Sequence, residues 1–193
     1  RPTAIRGVPV IYREPYVGMI AVDDATGKVL LEDNADAVVY PASIIKLMTL
    51  FVIEDGIRKG SVRLTDTVTV TAEMAKLGAS QVYLKEKEVF TVEDLIYALM
   101  VKSANDAAGA LAIHVAGSQE AFVALMNQKA QELGMTHTHF YSSHGLPPTP
   151  PRTASEVDVS TPRDLAILAR ALVDTYPDIL QYTSTMRRVF RPG

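Results

Sequence analysis

Tyr40-Pro41-Ala42-Ser43-Ile44-Ile45-Lys46, continued by the apolar run Leu47, Met48, Leu50, Phe51, Val52 and Ile53, is the stretch on which the reading of this chain turns. Pro41 restrains the backbone approach, and the apolar continuation predicts a buried helix that opens at Ser43. Helical residues three apart share a face, so Lys46 stands beside the Ser43 hydroxyl. A serine is a weak nucleophile until a neighbouring base takes its proton. A lysine at the mouth of an apolar helix either snorkels over the apolar surface or is desolvated until it can shed its proton and act as that base. The Ser43 backbone N–H is also one of the unpaired donors of a helix start, available to an oxyanion. Alone, S-x-x-K is a weak signal, because both residues are common.

The remaining composition narrows the function classes. A chain of 193 residues with 48% apolar and 21% charged residues has room for one well-cored domain. Its net charge of −3 comes from 19 basic and 22 acidic residues interspersed along the chain, without the basic block that a nucleic-acid partner requires. With no cysteine there is no disulfide and no thiolate metal ligand. No apolar run reaches the roughly 18 to 20 residues that span a bilayer. No signal peptide is present, and the start at Arg1 leads to the expectation that the numbering follows processing or trimming of a longer precursor.

Along the chain, residues 1–15 read as an irregular leader. Val17 to Val22 and Val29 to Leu31 are β-like runs separated by Asp23-Asp24-Ala25-Thr26-Gly27-Lys28, a hairpin signature. The Ser43 helix is expected to end around Gly56 or Gly60, and Thr67 to Thr71 alternates as a short strand does. Thr91-Val92-Glu93-Asp94 is an N-cap followed by a carboxylate, opening a helix through Leu95, Ile96, Leu99 and Met100. Ala107 to Ala116 is a small-residue helix suited to close packing. Ser118 starts another, with Phe122, Leu125, Met126 and Leu133 on its apolar side. Thr161-Pro162-Arg163-Asp164 starts a further one. Between the last two lies a loop from Gly145 to Ser160 with four prolines. Strands are few and early, and a two-stranded hairpin needs partners for stability.

Ser103 and Asn105 follow the second helix. Their plain reading is helix capping, which Ser, Asn and Asp106 all do well. The alternative is chemical: Ser103 as a hydroxyl proton shuttle near Lys46, and Asn105 bonding both the lysine and a substrate amide. Ser43-Ile44-Ile45-Lys46 and Lys102-Ser103-Ala104-Asn105-Asp106 together resemble the first two signatures of the serine penicillin-binding proteins. Further segments, among them Phe122-Val123-Ala124-Leu125-Met126-Asn127, Leu133-Gly134-Met135, His144-Gly145-Leu146 and Ser160-Thr161-Pro162-Arg163-Asp164, are similar to the low-molecular-mass D-alanyl-D-alanine carboxypeptidases. The resemblance runs from about Tyr16 to the last residue.

It implies an α/β (α+β) fold of the DD-peptidase/β-lactamase type, a helical core lobe on an antiparallel sheet, with residues 1–193 forming the N-terminal part of a single transpeptidase-like catalytic domain. It implies Ser43 as nucleophile, Lys46 as base, Ser103 as proton relay and Asn105 as substrate-binding residue. The substrate is a peptidoglycan stem peptide ending in D-Ala-D-Ala, with β-lactams acylating Ser43, and residence is periplasmic or at the cell surface. No cofactor, metal or nucleic acid is expected, and membrane anchoring only through a C-terminal part absent here. The chain departs from the family in its long proline-rich Gly145–Ser160 loop and in having no Lys-Thr-Gly, so the C-terminal sheet strands are expected to be missing by truncation. Three other readings share part of this pattern. His137, His139 and His144 fall within eight positions and suggest zinc, but no H-E-x-x-H accompanies them. A serine β-lactamase shares both motifs, but no Glu-x-x-Leu-Asn element occurs. A β-lactam- or peptidoglycan-binding sensor with little turnover has the same motifs.

Overall fold

The computed structural model describes residues 16–191, so the expected leader lies outside the described residues. The hairpin forms as its sequence predicts. β1 (Met19–Val22) pairs antiparallel with β2 (Val29–Asp33), Met19 facing Asp33 and Ile20 facing Glu32. Its turn is held by Asp23, whose carboxylate accepts the Thr26 N–H at 2.9 Å and the Thr26 hydroxyl. The hairpin is tied to the N-terminal end of α5 (Pro162–Thr175), where Arg163 pairs with Glu32 and Asp36 at 2.8 and 2.7 Å. Val29, Leu30 and Leu31 on β2 stay exposed. This is the incomplete sheet expected from the sequence.

A second two-stranded sheet joins β3 (Thr67–Thr69) to β4 (Val89–Thr91). β4 escaped the sequence reading because it is three residues long and runs straight into a helix cap. That cap is Thr91, whose hydroxyl accepts the Asp94 N–H and donates to the Asp94 carboxylate. It opens α2 (Val92–Lys102).

The first helix differs in detail from expectation. Ala42–Ile45 form a 3-10 turn, and α1 runs from Lys46 to Arg58. Because residues i and i+3 eclipse in a 3-10 turn, Ser43 and Lys46 come closer to superposition than in an α-helix. The apolar run then sinks into the core: Ile45, Met48, Leu50 and Ile53 are fully buried.

α3 (Asn105–Ala116) lies at the centre, packed by α1, α2 and α4 (Gln119–Glu132). Asn105 to Ala112 are all buried, and their small side chains permit the close packing the sequence predicts. At Gly109 an added Cβ would lie 2.6 Å from the Leu77 side chain. The last helices are α5 and the short α6 (Leu180–Thr183). Among the described residues no single helix is long and apolar enough to cross a membrane.

Candidate active site

Ser43 is exposed while Lys46, three residues on, is only 3% accessible. The lysine Nζ lies 3.1 Å from Ser43 Oγ, 2.8 Å from Asn105 Oδ1 and 2.8 Å from the His144 carbonyl oxygen. The Asn105 amide is oriented by its other end, since Nδ2 donates to the Gly78 carbonyl at 2.8 Å. Its Oδ1 and the His144 carbonyl can only accept, so each takes one N–H of Lys46. The Ser43 hydroxyl alone can play either part. With Lys46 protonated, the third N–H points at Oγ. With Lys46 neutral, the lone pair occupies that direction and the serine O–H donates to it. A proton can therefore pass from Ser43 to Lys46 without rearrangement of the other two bonds.

No carboxylate pairs with Lys46 among the described residues, and burial pulls its ammonium down to about 8. Of the two sequence readings of this lysine, the structure matches the desolvated one. The Ser43 N–H donates to no backbone carbonyl among the described residues.

Ala104 occupies the N-cap position of α3 without a side-chain cap bond, and of the expected capping residues only Asp106 serves the first turn, its Oδ1 accepting the Ala107 N–H at 3.0 Å. Ser103 ends α2 instead, in a left-handed conformation at φ 56°. The capping reading holds only in that part, because both side chains are also engaged elsewhere. Asn105 holds Lys46 and Gly78. Buried Asp106 accepts the N–H groups of Val82 and Leu84 at 3.2 and 2.9 Å, fixing the loop that precedes β4. The Asn105 N–H donates to Ser80 O at 2.8 Å, and the Ser80 hydroxyl returns to the Lys102 carbonyl. The 78–84 loop is thereby stapled to both ends of the second motif. Ser103 is half-buried, and its hydroxyl makes no hydrogen bond to Lys46 or Ser43. The structure thus brings together Ser43, Lys46 and Asn105, and does not tie the Ser103 hydroxyl to any of them.

The His144 carbonyl was not foreseen as a contributor, because any residue can supply a carbonyl and only tertiary structure shows which does. Its segment is pinned from three sides. Thr49 of α1 donates to the Ser143 carbonyl at 2.7 Å, the Ser143 hydroxyl to Gln119 Oε1 at 3.0 Å, and Asp158 accepts from Ser142 at both N–H and hydroxyl. Gly145 completes it at φ 81°. A Cβ there would stand 2.2 Å from the Ala42 carbonyl oxygen, and Ala42 is itself held at φ 47° just before Ser43. Gly145→Ala is expected to destabilise the protein by about 2 kcal/mol or more and to slow acylation of Ser43. Thermal unfolding and penicillin labelling check this; wild-type values for both would show that the contact yields without cost.

The three clustered histidines separate. His137 lies beside the Thr136 hydroxyl, His139 packs edge-on to Tyr141, and His144 accepts the Leu146 N–H at Nδ1. Burial, with the charges of Arg152 and Lys46, lowers the His144 imidazole to about 4, so it is neutral with its proton on Nε2. Among the described residues no three His, Cys, Asp or Glu side chains converge on a metal-sized site.

The sequence model described as D-alanyl-D-alanine carboxypeptidase matches residues 17–192. The D-alanyl-D-alanine carboxypeptidase DacC of Escherichia coli K12 is 41% identical over 165 residues, which are 82% of this chain and 40% of that one. In structure the chain is similar to the D-alanyl-D-alanine carboxypeptidase DacD of Francisella tularensis, with a TM-score of 0.83 and 30% identity over 95% of this chain and 43% of that one. It is also similar to penicillin-binding protein D2 of Listeria monocytogenes in its ampicillin-bound form, with a TM-score of 0.76 and 32% identity over 88% of this chain and 66% of that one. The chain spans about two fifths of the length of the curated relatives it matches.

Proposed function

The chain belongs to the D-alanyl-D-alanine carboxypeptidase family, and we propose that it carries the nucleophilic half of a serine carboxypeptidase site acting on peptidoglycan stem peptides. The observation that carries this reading is the threefold coordination of Lys46 Nζ, with two obligate acceptors and the Ser43 hydroxyl. Ser43 Oγ attacks the carbonyl between the two terminal D-alanines while its proton moves to neutral Lys46. The oxyanion so formed takes the Ser43 N–H as one donor. The C–N bond then breaks, the leaving D-alanine nitrogen receives a proton through Ser103, and water hydrolyses the ester. Asn105 orients Lys46 and the substrate amide. The second oxyanion donor and the clamp on the terminal carboxylate are assigned to sequence outside residues 1–193. β-Lactams acylate Ser43 by the same route, and the substrate places the protein outside the cytoplasmic membrane. Residues 1–193 are then the first part of one catalytic domain.

The test is release of free D-alanine from a peptide ending in D-Ala-D-Ala by the full-length protein, followed across pH. The acylation step should climb about tenfold per pH unit until the pH nears the lowered Lys46 value of about 8, then level. A profile flat between about pH 6 and pH 8 would exclude neutral Lys46 as the base. Stable acylation by penicillin without D-alanine release would leave a β-lactam-binding sensor in place of the enzyme.

A further inference from the structure

The loop between residues 78 and 88 holds three residues in a backbone conformation that side chains with a Cβ rarely adopt. Ala79, Tyr83 and Lys87 lie at φ 61°, 58° and 71°. Such conformations persist where the surroundings impose them, and the first of these adjoins the candidate active site. Around Ala79, the Gly78 carbonyl accepts Asn105 Nδ2 and the Ser80 carbonyl accepts the Asn105 N–H, both at 2.8 Å. Around Tyr83, buried Asp106 takes the N–H groups of Val82 and Leu84. The Tyr83 ring is 68% exposed, so its own packing does not hold it there. The carbonyls of this segment go to Arg191. Its Nη1 donates to the Val82 carbonyl at 2.7 Å and its Nη2 to the Tyr83 carbonyl at 2.9 Å. Nε and Nη2 also grip the Glu88 carboxylate, at 2.9 and 2.7 Å.

Arg191 is itself fixed. It stands 5.4 and 5.1 Å from the ring centres of Phe90 and Phe190, which stack on each other at 4.5 Å. Its segment is tied to α2 by Arg188, which pairs with Asp94 at 3.0 Å and covers the Tyr97 ring. One planar guanidinium thus serves two carbonyls and a carboxylate, an arrangement that a lysine ammonium cannot reproduce. A partly exposed ion pair with Glu88 is weak by itself, so the two carbonyls are what join Arg191 to the loop. We propose that Arg191 is a positioning residue for the attack by Ser43. By holding Val82 and Tyr83 it keeps the loop in the strained form that presents the Gly78 and Ser80 carbonyls to Asn105. Through Asn105 Oδ1 it then aims Lys46 at Ser43. The other acceptor of Lys46, the His144 carbonyl, belongs to a different segment, so loss of the clamp costs the lysine its aim and not its burial. The proposal rests on the Ser43–Lys46 reading of the site.

The test follows penicillin acylation of Ser43 across penicillin concentration in full-length wild type, Arg191→Ala, Arg191→Lys and Glu88→Gln. The burst amplitude counts folded sites, and the limiting rate constant reports their geometry. Arg191→Ala should lower the limiting rate about tenfold per folded site, the scale of a sub-ångström misplacement of a reacting group. The half-saturating penicillin concentration should change by less than about twofold. Arg191→Lys, which keeps the charge but not the fork, should stay at least about threefold below wild type. Glu88→Gln, which weakens the ion pair and leaves both carbonyls in place, should stay within about twofold of wild type. Rates are read per folded site, so partial unfolding of a variant leaves the comparison intact. A wild-type limiting rate in Arg191→Ala, a loss confined to amplitude, or full recovery in Arg191→Lys would overturn the proposal. A rate loss in Glu88→Gln equal to that in Arg191→Ala would also overturn it, placing the effect in the ion pair. Acylation without D-alanine release by the wild type, with the tenfold Arg191 effect intact, would overturn the carboxypeptidase reading and leave the positioning role standing.

Discussion

Ser43→Ala in the full-length protein is expected to lower both D-alanine release and penicillin acylation by about 10⁴-fold or more, because loss of a covalent nucleophile removes the whole route. The fold should survive. Ser43 is exposed, and the one hydrogen bond its side chain makes among the described residues is to Lys46 Nζ. Alanine suits a helical turn, and Nζ keeps both of its obligate acceptors. The loss should therefore appear in chemistry with thermal unfolding near the wild-type value. Penicillin that still labels the variant covalently would show that another residue is the nucleophile.

Lys46→Met separates chemistry from stability in a second way. Acylation should fall by about 10³-fold or more, since proton transfer by a positioned base contributes roughly 10² to 10⁴. Two stability effects oppose each other. Methionine removes a desolvated ammonium, which favours folding, but leaves Asn105 Oδ1 and the His144 carbonyl without a donor, at about 1–3 kcal/mol each. The pH dependence distinguishes them. Folding lowers the lysine from 10.5 to about 8, so between those values the unfolded chain holds more protons than the folded one. Wild-type stability should accordingly gain from this group as pH rises through that window, and the variant should lack the gain. Denaturant unfolding of both proteins at about pH 7 and pH 9.5 measures it. Parallel curves would mean that Lys46 titrates normally, and full activity of the variant would exclude it as the base.

Much of this site was legible before any coordinates. Ser43 and Lys46 are linked by a local repeat of three residues, and local spacing is what helical geometry dictates. The hairpin, the Thr91 cap and the proline-opened α5 were legible for the same reason: each is encoded within six or seven residues. β4 was not, since three residues carry no periodicity and strand pairing across 22 positions is a tertiary choice. The capping reading failed for Asn105, and held only in part for Asp106, on similar grounds. Their residue types suit a cap, but buried Lys46 and the N–H groups of the 82–84 loop take their side chains.

By itself the sequence determined which residues are proposed as nucleophile and base, because those roles demand particular residue types at a particular spacing. It also determined that the helix bearing them is buried, because the run from Leu47 to Ile53 is apolar apart from Thr49. Only the tertiary structure decided that Lys46 sheds its proton readily. That property comes from exclusion of water and of any carboxylate partner, and from two acceptors 59 and 98 positions away that aim its remaining valence at Ser43. Desolvation and long-range acceptors arise from how elements pack, and no four-residue motif contains them.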